Sequence, residues 1–216
     1  MKKFLLTALA ATALCLPAVA EERVKTWRSL DSMGCMMLRE CEEDVVKIGT
    51  WRDLGLDYEL WADELNLIFK SLEAIGVDVY IADERYFLHN TRGVYNVVGN
   101  NFFLNRHYLY QPTKMVQVIR HEGWHVAQDC MAGTMDNSLT GLIFEEEKVP
   151  KWIRRGAERT YPAKVVPFEA EAMWAMYSKT RTANALRVCA SSQKMWEAFA
   201  PTPKTGEWLK ENGFMD

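Results

Sequence analysis

Beyond residue 20 the chain contains no apolar run long enough to cross a bilayer, which takes roughly 20 residues, so no membrane-spanning helix is expected there. It also lacks internal repeats, low-complexity tracts and long linkers, which excludes solenoid, fibrous and tethered multi-domain organisation. Positive charge is not in excess: 26 Lys and Arg against 29 Asp and Glu leave a formal charge of −3. A nucleic-acid partner usually needs a basic face, and none is signalled. Histidine is scarce as well, at 4 residues, so the spacing of those present is informative.

What is present begins with a leader-like N-terminus. Lys2 and Lys3 precede an apolar run from Phe4 to Leu16, and Ala18-Val19-Ala20 supplies a small-x-small cleavage site. This is the order of regions in a secretory signal peptide, so residues 1–20 are expected to be removed and the product exported, periplasmic or secreted. Cys15 follows the bulky Leu14, which suits a lipid-attachment site poorly. Residues 21–216 are then expected to form one domain, large enough to bury a real core. Loss of Lys2 and Lys3 takes the formal charge from −3 to −5, because the leader holds no acidic residue.

Four cysteines remain after cleavage: Cys35, Cys41, Cys130 and Cys189. An even count in an exported chain favours two disulfides, with three pairings open. Cys35 and Cys41 cannot bridge within one helix, where six residues separate their Cα atoms by about 9 Å, beyond the roughly 7 Å limit. A turn around Gly34 would bring them together, and the expected pairing is Cys35–Cys41 with Cys130–Cys189.

The elements read as α+β. Residues 22–50 look helical, broken near Asp31–Gly34. Residues 57–75 carry Trp61, Leu65, Ile68, Leu72 and Ile75 at helical spacing, with Gly76 as the stop. Val77-Asp78-Val79-Tyr80-Ile81 alternates like a half-buried strand. The runs 93–98 and 102–105 flank Gly99-Asn100-Asn101 as a hairpin, giving a small antiparallel sheet. A helix should follow from Pro112 to Gly133, then shorter helices near 146–157, 167–180 and 183–200.

The third of these helices spells the chemistry. His121 and His125 stand four residues apart, so on a helix both imidazoles can aim at one ion, at about 2.0–2.1 Å for zinc. Glu122 can reach the space beside that ion without ligating it and can carry a proton there as general base and acid. The flanks Val118, Ile119, Gly123, Trp124, Val126 and Ala127 are uncharged, as a helix in the centre of a domain requires. Val118-Ile119-Arg120-His121-Glu122-Gly123-Trp124-His125-Val126-Ala127 resembles the active-site helix of the zincin metallopeptidases.

A catalytic zinc takes three protein ligands, so one is still to be found. Metzincins carry HExxHxxGxxH, whereas Gln128 and Met131 stand at the corresponding positions, which excludes that branch. Gly133-Thr134-Met135-Asp136 is similar to the motif of an aspartate-ligand branch, but Asp136 lies only 11 residues past His125. In the gluzincin branch a glutamate on a second helix completes the site, with a small residue three positions on. Phe168-Glu169-Ala170-Glu171-Ala172 fits, 44 residues past His125. The resemblance therefore implies His121, His125 and Glu169 on one Zn2+ ion, with Glu171 as the runner-up. Whichever glutamate is not a ligand is expected to orient a histidine.

Tyr161 and Tyr177 are the candidates for stabilising an oxyanion, and the sequence does not choose between them. His89 and His107 read as surface or turn histidines, and the Glu145-Glu146-Glu147 run as a solvated helix start. The function implied is an exported zinc metallopeptidase acting on a peptide or protein. Its rivals are a zincin-shaped module that binds metal or a partner without turnover, and a metal-free, disulfide-stabilised interaction domain.

Overall fold

A computed structural model of the protein describes residues 30–55, 58–136 and 139–216. The leader expected at 1–20, Cys15 and the start of the helical stretch expected from residue 22 lie outside the described residues. Among the described residues no helix is long and apolar enough to cross a membrane.

The expectation of helix to residue 50, broken at Asp31–Gly34, is corrected. Helix α1 (Leu30–Met37) runs straight through Gly34, and the chain then turns and enters strand β1 (Val45–Ile48). Arg39 and Asp44 take positive φ, at 60° and 58°, and reverse the chain on either side of Cys41. Cys35 thus sits inside α1 and Cys41 beyond it, and the turn after the helix brings their Cα atoms to 5.3 Å. A second bridge joins Cys130 to Cys189 across a Cα separation of 6.0 Å.

Strands β2 (Asp78–Ala82), β3 (Gly93–Asn96) and β4 (Asn101–Asn105) complete a four-stranded sheet of order β1-β2-β4-β3. β1 is antiparallel to β2 and β3 to β4, but β2 and β4 run parallel. The small antiparallel sheet expected is therefore a mixed one. The chain leaves β2 through a 3-10 turn at Glu84–Tyr86, lays down β3 at the far edge and returns between β3 and β2.

Both faces of this sheet are covered, which corrects the half-buried reading of β2. Val79, Ile81, Phe102 and Leu104 face the main core shared with α2 (Ala62–Ala74) and the long helix α3 (Pro112–Met131). Tyr80 and Phe103, paired in register and stacked at 5.2 Å, face a second cluster with Met36, Cys41, Tyr86 and Phe87. Phe102-Phe103-Leu104 is an unbroken apolar run because each face needs its share.

Helix α2 begins later than its apolar pattern, after a 3-10 turn at Glu59–Trp61, and buries Leu65, Ile68 and Leu72. Gly76 ends the segment at a φ of 74°, which L side chains rarely adopt. Four further helices follow α3: α4 (Lys151–Thr160), α5 (Val166–Ala175), α6 (Arg181–Cys189) and the short α7 (Met195–Ala198). A last helix, α8 (Pro203–Glu211), is unanticipated, although Thr202 caps it by accepting from Thr205 N and Pro203 opens it.

α3 lies in the middle, with α5, α6 and β3 against it. Gly123 is what lets α6 approach: a Cβ there would come within 2.8 Å of Thr182 Cγ2. Gly93 does the same for β3, where a Cβ would meet Val118 Cγ1 at 2.6 Å and Glu122 Cγ at 3.1 Å. Arg120 fastens α3 to α2 through a two-pronged pair with Glu64 at 2.6 and 2.7 Å, both side chains nearly buried.

Candidate metal centre

α3 holds His121 and His125 on one face, and the first turn of α5 holds Glu169 opposite them. Their inner atoms converge: His121 Nε2 to His125 Nε2 is 3.3 Å, His121 Nε2 to Glu169 Oε2 3.2 Å, and His125 Nε2 to Glu169 Oε2 3.6 Å. Ligands on a tetrahedral zinc at about 2.0–2.1 Å lie about 3.3–3.4 Å apart, so the triangle has the size of one face of such a coordination shell. Glu169 Oε2 is buried, and the two imidazoles are its polar neighbours, neither in well-aligned hydrogen-bond geometry. A buried carboxylate oxygen aimed at two imidazole nitrogens, with no other polar partner, is a donor set that fits a cation. These three residues form the metal-compatible cluster found among the described residues.

The electrostatics agree. Burial alone would lower the His125 pKa, but its bond with Glu169 and the charges of Glu122 and Glu169 hold it up at about 9. Burial would likewise raise the Glu169 carboxyl, yet the His121 and His125 imidazoles beside it pull it well below the usual carboxylate range. The pocket attracts positive charge.

Glu171, the runner-up, is not part of the cluster. It is 1% exposed and points to the other side of α5, accepting from Gln128 Nε2 at 2.8 Å, Trp124 Nε1 at 3.2 Å, Ile143 N at 3.3 Å and Phe144 N. Burial still pushes its pKa above the ordinary value. Gln128 turns this carboxylate into an orienting device: its Oε1 lies 2.8 Å from His125 Nδ1 while its Nε2 is held by Glu171 and by Phe168 O at 3.1 Å. With its amide nitrogen so committed, Gln128 offers an acceptor to the histidine. When the ring is neutral, this acceptor keeps its one proton on Nδ1 and leaves the Nε2 lone pair toward the cluster, where a cation can take it. The one-helix-turn spacing 125–128 was readable, but it entered the sequence reading only as the mark of a missing metzincin glycine.

Glu122 is 9% exposed, and its Oε2 accepts from the backbone N of Tyr95 on β3 at 3.0 Å. It lies beside the cluster, outside the ligand triangle. Of the two tyrosines, Tyr161 is the one at the site: burial raises its pKa, and the charges of Glu169 and Glu122 with a hydrogen bond to Glu169 raise it further. Tyr177 is half exposed and packs against Trp152 at 5.6 Å. Asp136 stays out of the cluster in a turn with Thr134. His89 and His107 line a separate cavity with Glu84 and Tyr108, and His107 Nδ1 is 3.4 Å from Glu84 Oε2. The Cys130–Cys189 bridge ties the end of α3 to the end of α6, the helix that packs against it at Gly123.

No protein-family model, curated protein or solved structure matches this chain.

Proposed function

We propose that this protein is an exported, gluzincin-like zinc metallopeptidase that hydrolyses peptide bonds. The observation that carries the reading is the triangle of His121 Nε2, His125 Nε2 and the buried Glu169 Oε2, with Glu122 beside it. His121, His125 and Glu169 would hold the ion. Zinc, when bound, supplies a Lewis acid that polarises a carbonyl and acidifies water.

The chain's own groups divide the remaining work. Glu122 takes the proton of the attacking water and returns it to the leaving amine, while the Tyr95 N–H keeps its carboxylate in place. Gln128 and Glu171 fix the ring of His125. The Tyr161 phenol, protonated at neutral pH like any ordinary tyrosine and kept so by burial and the neighbouring carboxylates, is the donor available to a developing oxyanion. β3 is an edge strand beside Glu122, and an extended peptide can be captured by pairing with such an edge. Two disulfides accord with an oxidising, exported setting.

Metal analysis of the purified protein tests the binding half: about one zinc per chain is expected, lost in His121→Ala. Peptidase assays on wild type and Glu122→Gln test the chemistry. Zinc retained with activity abolished in Glu122→Gln supports the mechanism, and zinc retained with no activity in either protein identifies a binding module instead. A wild type that takes up no zinc refutes the reading altogether.

A further inference from the structure

Tyr95 makes more contacts than Glu122 explains. Its hydroxyl lies 2.6 Å from Asp129 Oδ2, one turn beyond His125 on α3, and 3.0 Å from Asn100 Oδ1 at the hairpin turn. Asn100 Nδ2 donates to Met135 O at 3.1 Å. A carbonyl only accepts, so the amide of Asn100 must present its nitrogen to Met135 and its oxygen to Tyr95. The phenol thus faces two acceptors with one proton, and one proton does not make two bonds of these lengths. The set is satisfied if Asp129 brings a second proton: Asp129 donates to Tyr95, and Tyr95 donates to Asn100.

The surroundings favour the same state. Asp129 is 0% exposed, and its Oδ1 has no hydrogen-bond partner, which an ionised carboxylate tolerates badly. The titratable groups facing it are Tyr95 on β3 and Asp136 in the turn after α3. Those two are the groups that act on its charge among the described residues. Burial, against the opposing Tyr95 bond and with a smaller push from the charge of Asp136, raises the Asp129 carboxyl to about 7.

We propose that Asp129 is carried as a neutral carboxylic acid that pins the edge strand β3 to the metal-site helix α3, and that loss of this proton releases β3 together with the Tyr95 N–H that holds Glu122. Asp129 is in this sense a positioning residue: its carboxyl is not among the converging groups of the cluster and acts through Tyr95. The proton on Asp129 stands independently of the proposed function; only its consequence for Glu122 as a base rests on that reading.

The test uses the full chain and needs neither turnover nor metal. Carboxyl-selective 13C NMR should show the Asp129 resonance titrating at about 7, above the ordinary carboxylate value of about 4. Hydrogen exchange should show the Tyr95 amide losing protection over the same pH range, after correction for intrinsic base catalysis. In Asp129→Asn, whose amide keeps a donor toward Tyr95 at every pH, that pH-dependent loss should disappear. An Asp129 midpoint in the ordinary carboxylate range overturns the proposal. So does an Asp129→Asn protein whose Tyr95 amide still loosens as in wild type. A protein that proves not to bind zinc would refute the peptidase reading while leaving these two readouts as they are.

Discussion

Replacing Gln128 by Leu tests how His125 is held. Leucine nearly matches the volume of glutamine and removes both of its hydrogen-bonding ends. Two losses follow, and they are separable. His125 Nδ1 loses its acceptor at 2.8 Å, so the ring is free to turn and Nε2 no longer faces Glu169 by default. Groups that orient a ligating histidine are worth about 10–100-fold in metal affinity, or about 1.4–2.7 kcal/mol. Glu171, 1% exposed, loses one of its donors, and only Trp124 Nε1, Ile143 N and Phe144 N remain. Depriving a buried group of a partner costs about 1–3 kcal/mol of stability. Zinc titration against a chromophoric chelator reads the first loss, and denaturant unfolding of the metal-free protein reads the second. Gln128→Leu should bind zinc at least about tenfold more weakly, and it should unfold earlier than wild type even without metal. Combined with Glu171→Gln it should lose less than the two single changes added, since both cut the same chain of bonds. A stability loss accompanied by an affinity within about threefold of wild type would refute the orienting role and leave Gln128 as packing alone.

Other perturbations read other parts of the structure. Glu64→Ala strands the buried Arg120 guanidinium and should cost about 3–5 kcal/mol in denaturant melts; a cost below about 1 kcal/mol would mean that Arg120 finds water. Gly93→Ala drives a methyl into Val118 and the Glu122 side chain, so activity should fall more than zinc affinity, measured in parallel. Breaking Cys130–Cys189, 59 residues apart, by a double serine change should lower stability by up to about 4 kcal/mol if chain entropy governs the bridge. The pH dependence of stability carries the sign of Asp129. Its native pKa of about 7 exceeds the unfolded value of about 4, so between these the native state holds the extra proton. Stability then falls as pH rises through that window, by up to about 1.4 kcal/mol per unit, and levels off above it. Subtracting Asp129→Asn melts from wild type should isolate this slope; a difference that is flat or of opposite sign contradicts it.

Much of the candidate cluster was legible because its spacing is local. Two histidines one turn apart share a helix face wherever the helix goes, and Glu122 follows at a fixed angle. Pro112 and the Gly133 region bound α3 well for the same reason. Glu169 was within reach of sequence reading too, since Ala172 at its +3 position is small enough for α5 to lie close on α3 and is fully buried there. β1 was not legible. Val45-Val46-Lys47-Ile48 is four residues long, and what makes it a strand is the edge of β2, presented by chain more than thirty residues away.

The sequence by itself determined the α+β alternation, the α3 motif and the set of residues competing to complete it, because helical periodicity and cysteine spacing are properties of neighbouring residues. The sequence ranked Glu169 ahead of Glu171, but only the tertiary structure shows Glu169 beside the two histidines and Glu171 turned away from them. The two glutamates stand two positions apart, so a helix turns them about 200° from each other, and which one faces His121 depends on how α5 lies against α3. The same packing chose Tyr161 over Tyr177, set Gln128 behind His125 and put Asp129 against Tyr95. None of these pairings leaves a periodic trace, because each joins segments that meet only after the chain has folded.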